Sequence, residues 1–277
     1  MEFPGVLPIS RVSVPGTVLD VIGLSDMHDG SPGFSRHAVV ETVQEALDRR
    51  ALVVGCGDYT DGVWIDDKRW AHEIAAGKDL ANLVPDQYKD VVELLSPLKG
   101  RIIGLCRGNH EQKWIRRHGV MCLWTEFCKQ LDAPDFGFSA MFDVQVWFND
   151  SQGRRRRGGK PADRTVRFAV IHGDGGGNTI GGKVARGVGW ERGIWGAHVV
   201  FYAHTHLQTA VADPKIGANA DCSDHLAHTP LLVFTGGFLR SYSKGTLTYP
   251  EEHAMLPVAL GAPIVHIYPH RIRAEVG

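Results

Sequence analysis

The stretch VIGLSDMHDG, residues 21–30, begins as an apolar run of the kind that forms a buried strand and ends in a carboxylate and an imidazole. Side chains of a strand alternate between its two faces, so residues two apart point the same way. Asp26 and His28 therefore could share one target, and a divalent metal ion suits both. A single Asp-x-His string recurs by chance, so this prediction depends on further ligands elsewhere in the chain.

Length and composition restrict the class of protein. The chain has 277 residues, 43% of them apolar, and a formal net charge of −1. These values predict one globular α/β domain over residues 1–277 with a sizeable core. The balanced charge gives no overall field that would favour nucleic acid, a membrane surface or an acidic partner.

The location of the protein is predicted from what the sequence lacks. The N-terminus has no basic start followed by an apolar core, and no apolar run is long enough to span a bilayer. The five cysteines form no CxxC pair, which favours reduced thiols. We therefore expect a cytoplasmic protein with no membrane partner.

Short apolar runs alternate with helical patterns along the chain, which predicts a layered α/β sheet with helices on its faces. The helices are predicted at Arg36–Arg50 and at residues 85–98, PDQYKDVVELLSPL. Two later apolar runs, PLLVFTGGF at 230–238 and APIVHIYP at 262–269, are predicted to form a second sheet. The first twenty residues fit either an edge strand or an interface arm.

Two insertions are predicted, near residues 63–83 and 148–165. The first is rich in tryptophan and charge, and the second is a polar loop between two alternating strands. The second insertion contains Arg154–Arg157, the only concentrated positive charge in the chain. This run could bind a nucleic-acid backbone, or it could be a solvated hairpin tip.

Polar side chains follow five apolar runs at the points where the predicted strands end. Ligands of open α/β sheets bind outside the carboxyl ends of the strands, so these sets are expected to converge. The runs are TVLDVIGLSD (17–26), ALVVGCGD (51–58), RIIGLCRGN (101–109), TVRFAVIHGD (165–174) and HVVFYAHTH (198–206), and the side chains are Asp26 and His28, Asp58 and Asp61, Arg107, Asn109 and His110, His172, and His204 and His206.

The residue types in this set indicate which metals it would bind. Imidazole, carboxylate and amide ligands without a thiolate favour first-row ions, and we expect Mn²⁺, with Fe, Ni or Zn as alternatives. The ligands are too many for one tetrahedral ion and suit two ions that share a carboxylate. Such a pair can hold a phosphoryl oxygen and activate a water at neutral pH.

The motifs DMH, GDYTD, GNHE, a lone His and HTH, in this order, resemble those of the calcineurin-like metallophosphoesterases over about residues 21–207. The resemblance implies an α/β/β/α sandwich with two central mixed β-sheets flanked by helices. It further implies that Asp58 bridges two ions and that His110, oriented by Asp61, is the general acid. The implied ligands are Asp26, His28, Asp58 and His206 for one ion, and Asp58, Asn109, His172 and His204 for the other.

Two motifs are closest to the Ser/Thr phosphoprotein phosphatases, whose strings are GDYVDRG and RGNHE. The second string is intact here and would make Arg107 a phosphate clamp. Gly62 stands where that branch has a second arginine, so the chain is not assigned to it. The run GNTIGGK at 177–183 has the spacing of a phosphate-binding P-loop, but Val184 follows where Ser or Thr is required.

The predicted activity is therefore hydrolysis of a phosphate ester by a hydroxide that bridges two metal ions. Arg107 and the ions would offset the developing charge, and His110 would protonate the leaving oxygen. The arginine run favours a nucleotide or nucleic-acid phosphodiester as substrate. The alternatives are a phosphomonoesterase or protein phosphatase, a nucleic-acid binding module with a non-catalytic metal site, and a protein whose metals are structural.

Overall fold

The computed structural model describes most of the chain. The predicted insertions fall mainly on residues 64–81 and 149–162, which lie outside the described residues, and so does the arginine run Arg154–Arg157. The described residues are 10–14, 16–63, 82–148, 163–175, 179–218, 221, 223–242, 245, 248–252, 254 and 256–277.

Strands and helices alternate through the first two thirds of the chain, and strands prevail after that. The strands are β1 (Ser10–Val14), β2 (Leu19–Leu24), β3 (Leu52–Gly55), β4 (Ile102–Leu105), β5 (Ser139–Phe148), β6 (Arg164–Ile171), β7 (Val199–Tyr202), β8 (Gln208–Ala212), β9 (Lys215–Ala218), β10 (His225–His228), β11 (Leu231–Thr235), β12 (Ile264–Ile267) and β13 (Ile272–Glu275). The helices are α1 (Arg36–Asp48), α2 (Leu83–Leu95), α3 (Asn109–His118), α4 (Met121–Gln130), α5 (Ile180–Glu191) and α6 (Tyr249–Glu252).

Two mixed sheets form the centre of the protein. One has six strands in the order β1-β5-β6-β7-β11-β8, and the other has five in the order β13-β12-β2-β3-β4. Strands β2, β3 and β4 are parallel to one another, as are β6, β7 and β11. Strands β9 and β10 form a separate antiparallel pair.

Alternate residues of each central strand enter different cores, which stacks the two sheets face to face. Val21 and Phe168 lie in a core shared by both sheets. Their neighbours Ile22 and Ala169 point the opposite way, into two outer cores. Helices α1, α2 and α4 cover the core that contains Ile22, and α5 covers the core that contains Ala169. The layers are therefore α/β/β/α, and the predicted fold class is confirmed.

The two predicted helices are present with shifted ends. Helix α1 ends at Asp48, two residues before the predicted end. Helix α2 begins at Leu83 and ends at Leu95, and Ser96–Leu98 form a 3₁₀ turn. Pro97 contributes to this end, because proline has no main-chain N–H with which to continue the helical hydrogen bonds.

The prediction that the runs at 230–238 and 262–269 share a second sheet is wrong. Strand β11 pairs with β7 in the six-stranded sheet, whereas β12 pairs antiparallel with β2 in the five-stranded sheet. An apolar run indicates a buried strand, but its partner depends on contacts far away in the sequence. Residues Ser10–Val14 form an edge strand parallel to β5, which agrees with the edge-strand expectation for this part of the N-terminal region.

The described part of the chain contains no helix that is both long and apolar enough to cross a membrane. That residues 1–277 form a single domain stays a prediction.

Candidate metal centre

The ends of five strands, three in one sheet and two in the other, meet at one edge of the sandwich. Seven predicted ligands are brought together there, on the loops after β2, β3, β4, β6 and β7. Three overlapping groups of side chains place ligand atoms within 4.8 Å of one another. These groups are Asp26, Asp58, His172 and His204; Asp26, His28 and His206; and His28, Asp61 and His110.

Asp58 lies at the centre of the cluster. Its Oδ2 is 3.1 Å from Nε2 of His172, 3.9 Å from Nε2 of His28 and 3.8 Å from Nε2 of His110. Asn109 adjoins this group, since its Oδ1 is 2.9 Å from Nε2 of His172. A carboxylate in this position faces ligands of both predicted ion sites.

Asp26 is the second buried carboxylate of the cluster. Its Oδ1 is 3.5 Å from Nε2 of His206 and 3.8 Å from Nε2 of His28. Its other oxygen accepts hydrogen bonds from Ser25 Oγ at 2.6 Å and from the main-chain N–H of His204 at 3.1 Å. One oxygen is thus held by the protein, and the other is directed at the imidazoles.

Unsatisfied buried atoms show that this residue set fits divalent cations. Asp26 Oδ1, Asp58 Oδ2 and both ring nitrogens of His28 are buried and make no hydrogen bond to the described residues. Buried polar groups are normally paired, because leaving them unpaired costs free energy. Cations bound among these oxygens and nitrogens would satisfy them.

The backbone at the ligands explains how residues two apart reach one target. Asp26 and His28 have φ angles of 52° and 53°, and His204 and His206 have φ angles of 67° and 52°. Non-glycine residues seldom adopt this left-handed conformation, and they do so mainly at functional sites. Both Asp-x-His and His-x-His therefore bend sharply after the strand, rather than continuing its alternation.

Two glycines allow the loops after β3 and β4 to touch. A Cβ on Gly108 would overlap the carboxylate and the main-chain nitrogen of Asp58. Gly57 has a φ of 97°, and a Cβ there would lie 2.6 Å from Cα of Gly108 and 2.7 Å from Nδ1 of His172. Any side chain at either position would displace the central carboxylate or the imidazole beside it.

The comparison with known families agrees with this geometry. The sequence profile of the family described as calcineurin-like phosphoesterase matches residues 19–208, well over half of the chain. The protein belongs to the calcineurin-like phosphoesterase family. The match spans all seven predicted ligands, together with Asp61, Arg107 and His110.

The solved structures that match this chain have low sequence identity to it, and no curated protein matches it. A predicted phosphoesterase from Streptococcus pneumoniae TIGR4 is 10% identical with a TM-score of 0.29, over 94% of this chain and 98% of that one. The calcineurin-like phosphoesterase YfkN from Bacillus subtilis is 11% identical with a TM-score of 0.38, over 95% and 91%. GAP50, the anchor in the inner membrane complex of Plasmodium, is 10% identical with a TM-score of 0.45, over 94% and 84%.

The two central carboxylates of this family member are held in the ionised form. Burial alone would raise the pKa of the Asp26 carboxyl, but the imidazoles of His206 and His28 outweigh it and hold that pKa well below its usual range. Burial is likewise outweighed at Asp58, where His172 and His110 lower the pKa. Both carboxylates therefore keep their negative charge at neutral pH, as cation binding requires.

The imidazoles divide into two groups by their pKa. Burial opposes protonation of His28, but Asp26 and Asp61 raise its pKa to about 10. Burial also opposes protonation of His172, and Asp58 raises its pKa to about 9. Burial lowers the pKa of His206 to about 4, and the pKa of His204 is lowered by burial and by His172. At neutral pH, protons on His28 and His172 balance the two central carboxylates.

His110 and Asp61 lie beside the cluster, in contact with each other. Nδ1 of His110 is 2.7 Å from the main-chain oxygen of Asp61 and 3.4 Å from its carboxylate Oδ1. The predicted pairing is present, but the shorter contact is to the carbonyl rather than to the carboxylate. His110 Nε2 then faces Asp58, the central carboxylate.

Arg107 follows β4, two residues before the proposed ligand Asn109. Its Nε is 3.7 Å from Oδ1 of Asp135, and its Nη1 is 3.5 Å from Oε1 of Gln112. The side chain is half-buried, and its main-chain N–H donates to the oxygen of Gly137 at 2.7 Å. Arg107 therefore belongs to none of the three ligand groups, and its guanidinium is held by Asp135 and Gln112.

Sequence analysis assigned no role to Glu111, which organises the loop after β3. Its buried carboxylate accepts main-chain hydrogen bonds from Asp58 and Tyr59 at 2.9 Å, Thr60 at 3.3 Å and Gly108 at 2.8 Å. Burial and the nearby Asp58 raise the pKa of Glu111, and the Gly108 N–H opposes this shift. The position of Glu111 in the GNHE string is the sequence feature that could have identified it.

Lys183 is a second residue whose role the sequence did not indicate. Its buried Nζ donates a hydrogen bond of 2.7 Å to the oxygen of Thr205, in the HTH motif. Thr179 caps α5 by accepting from the N–H of Gly182 at 3.1 Å. The lysine of the GNTIGGK run thus binds the protein's own backbone, which argues against a P-loop.

Proposed function

We propose that this protein is a dinuclear metal-dependent hydrolase of phosphate esters. The observation that carries the proposal is the position of Asp58, whose buried Oδ2 makes no hydrogen bond to the described residues and faces three imidazoles at 3.1–3.9 Å. Two divalent ions held there would activate a water molecule and neutralise charge on the phosphate.

The proposed ligand sets follow the clusters of side chains. Asp26, His28, Asp58 and His206 would hold one ion, and Asp58, Asn109, His172 and His204 would hold the other. The mixture of nitrogen and oxygen ligands, without a thiolate, favours Mn²⁺, with Fe, Ni or Zn as alternatives.

His110 is proposed as the general acid. The Asp61 oxygen at 2.7 Å from Nδ1 keeps a proton on that nitrogen, so a second proton would be carried by Nε2, which faces Asp58. The Asp61 carboxylate lies 3.4 Å from the same Nδ1. The ring can then give its Nε2 proton to the leaving oxygen of an ester.

Arg107 is proposed to bind phosphate oxygens at the rim. Its contacts to Asp135 and Gln112 are 3.7 and 3.5 Å, longer than strong charge-assisted hydrogen bonds. A phosphate in the site would therefore offer this guanidinium a better acceptor than either side chain does. We also propose a cytoplasmic location, which the free thiols of Cys56, Cys106, Cys122 and Cys128 support.

The test is hydrolysis of p-nitrophenyl phosphate and bis(p-nitrophenyl) phosphate by protein stripped with a chelator and then supplied with Mn²⁺. Activity should return with the metal and be lost in Asp58→Asn. A matched control is Asp48→Asn, since Asp48 is exposed at the end of α1 and its side chain accepts a hydrogen bond from Gln44, away from the metal centre. Activity that survives chelation, or no hydrolysis with any first-row ion, would overturn the proposal.

The preference between the two esters separates a phosphomonoesterase or protein phosphatase from a phosphodiesterase. A nucleic-acid binding module would hydrolyse neither ester and would bind oligonucleotides in a salt-dependent manner after chelation.

A further inference from the structure

Two clefts flank the metal centre and share one side chain, Phe138. The aromatic cleft has a volume of about 510 Å³ and is lined by Phe138, Ile171, Gly173, Arg186, Trp190 and Tyr202, among others. The cationic cleft has a volume of about 500 Å³ and is lined by Asn109, Gln112, Lys113, Arg116, Arg117 and Phe138. Both volumes are within the range of small-molecule sites.

Each cleft adjoins a proposed metal ligand. Asn109 itself lines the cationic cleft, and Gly173, which follows His172, lines the aromatic cleft. The main-chain N–H of His172 lies 3.5 Å from the oxygen of Phe138, and the two rings are 6.2 Å apart between centroids. A phosphate at the metal centre would thus border both clefts.

The aromatic cleft is suited to a planar ring. Phe138 is 37% exposed beside the centre, which is a large exposed fraction for an aromatic side chain next to buried ligands. Trp190, which also lines this cleft, lies 6.4 Å from Tyr202 between ring centroids. The hydroxyl of Tyr202 is occupied by the main chain of Asp174, so its ring contributes mainly an apolar surface. Nucleobases stack on such surfaces without requiring a particular sequence.

The cationic cleft follows one face of α3. Lys113, Arg116 and Arg117 follow Asn109 by four, seven and eight positions, so all three lie on the same face of the helix as Asn109. Arg116 lies roughly 10 Å along the helix axis from Asn109. At that distance its guanidinium would reach a neighbouring phosphate of a bound chain, rather than the one being hydrolysed.

We propose that the substrate is a nucleotide that carries at least one phosphate beyond the scissile one. Its base would stack in the aromatic cleft, and its second phosphate would lie in the cationic cleft. The inference rests on the proposed function, because the metal centre lies between the clefts. Hydrolysis consumes one water, whose oxygen joins the scissile phosphorus; the bond from phosphorus to the leaving oxygen breaks, and that oxygen takes a proton from His110.

The first test combines Phe138→Ala with removal of one base. The substrates are the 5′-phosphorylated thymidine dinucleotide and its analogue with an abasic residue in place of one or the other thymidine. We expect loss of the stacked base to lower kcat/KM about tenfold or more for the wild-type protein. In Phe138→Ala the same loss should have little effect, because the stacking partner is already absent.

The second test combines Arg116→Glu with removal of the 5′-phosphate from the same dinucleotide. The phosphate should raise kcat/KM about tenfold in the wild-type protein and much less in Arg116→Glu. The matched control is Arg273→Ala, on the edge strand β13, which should retain the full effect of the phosphate. Adenosine triphosphate and adenosine monophosphate are compared in the same way. A phosphate effect in this pair but not in the dinucleotide pair would identify a nucleoside polyphosphate, rather than an oligonucleotide, as the substrate.

Hydrolysis of bis(p-nitrophenyl) phosphate is measured in the same samples. If that ester is hydrolysed but neither bases nor extra phosphates affect nucleotide turnover, the inference is overturned while the proposed function stands. If wild-type protein hydrolyses no ester with any first-row ion, the proposed function itself has failed. The inference is supported if the base and the extra phosphate raise kcat/KM in the wild-type protein, and if Phe138→Ala removes the effect of the base and Arg116→Glu removes the effect of the phosphate.

Discussion

Nζ of Lys183 donates a hydrogen bond of 2.7 Å to the main-chain oxygen of Thr205, which lies between His204 and His206. Both histidines have left-handed backbone conformations, with φ angles of 67° and 52°. Such conformations persist only where the surrounding structure holds them. Lys183 therefore is positioned to hold the bend that directs two imidazoles at the metal centre.

Replacing Lys183 with methionine should weaken metal binding without unfolding the protein. Methionine keeps the apolar length of the side chain but removes the donor to Thr205, so the bend between the two histidines loses a support. Loss of such supporting contacts costs about 10- to 100-fold in metal affinity. Titration calorimetry with Mn²⁺ measures the effect, and Lys129→Met, an exposed lysine on α4, is the control. Equal affinities in the two variants would show that Lys183 has no positioning role.

Glu111→Ala should destabilise the protein. The substitution leaves four buried main-chain N–H groups without their acceptor, those of Asp58, Tyr59, Thr60 and Gly108. We expect the free energy of unfolding to fall by about 3 kcal/mol, since each unsatisfied buried donor is costly. Urea denaturation of chelated protein measures this change. Glu126→Ala, at an exposed position of α4, should leave the midpoint nearly unchanged.

The sequence predicted the location of the centre because strand ends are local features. An apolar run followed by Asp26 and His28, or by His204 and His206, identifies both the strand and the polar residues beyond it. Parallel strands then bring such ends to one edge. Strand pairing across the sandwich was not predictable in this way, and the partners of β11 and β12 were assigned wrongly.

The supporting contacts were also beyond sequence analysis. Glu111 and Lys183 act on main-chain atoms, which carry no sequence signal of their own. His110 was predicted to contact the Asp61 carboxylate, whereas its shorter contact is with the Asp61 carbonyl. The sequence distinguishes residues only by their side chains, so it gave no sign of this main-chain contact. Asp26 and His204 have left-handed conformations and are joined by a hydrogen bond from the His204 N–H to the Asp26 carboxylate, a contact between residues far apart in the sequence.

Gly108→Ala should abolish tight metal binding. The new methyl group would overlap the Asp58 carboxylate and its main-chain nitrogen, so the central ligand must move. Gly181→Ala is the matched control, because a Cβ at that position of α5 meets no atom within 4 Å. Metal content after gel filtration compares the two proteins. Full metal content in Gly108→Ala would mean that the loop can shift without losing the site.

Metal binding at pH 7.5 should release protons. The pKa values of His28 and His172 are raised to about 10 and about 9, after burial is outweighed by Asp26 and Asp58, so both rings are protonated in the metal-free protein. Each must lose a proton to bind a cation, which predicts release of about two protons and metal affinity that increases as the pH rises towards 9. Calorimetry in two non-coordinating buffers of different ionisation enthalpy gives the number. His28→Asn should release about one proton fewer, and binding without release would contradict the assignment of these two residues as ligands.

His110→Ala should separate metal binding from proton transfer. His110 lies outside the proposed ligand sets, so the variant should bind Mn²⁺ with unchanged stoichiometry. If the ring protonates the leaving oxygen, kcat should fall about 10²- to 10⁴-fold for an ester with an alkyl leaving group. The loss should be much smaller for a p-nitrophenyl ester, whose leaving group departs without a proton. Comparing both esters in wild-type protein and His110→Ala therefore tests the role directly. An equal loss for the two leaving groups would instead assign His110 to substrate binding or to support of Asp58.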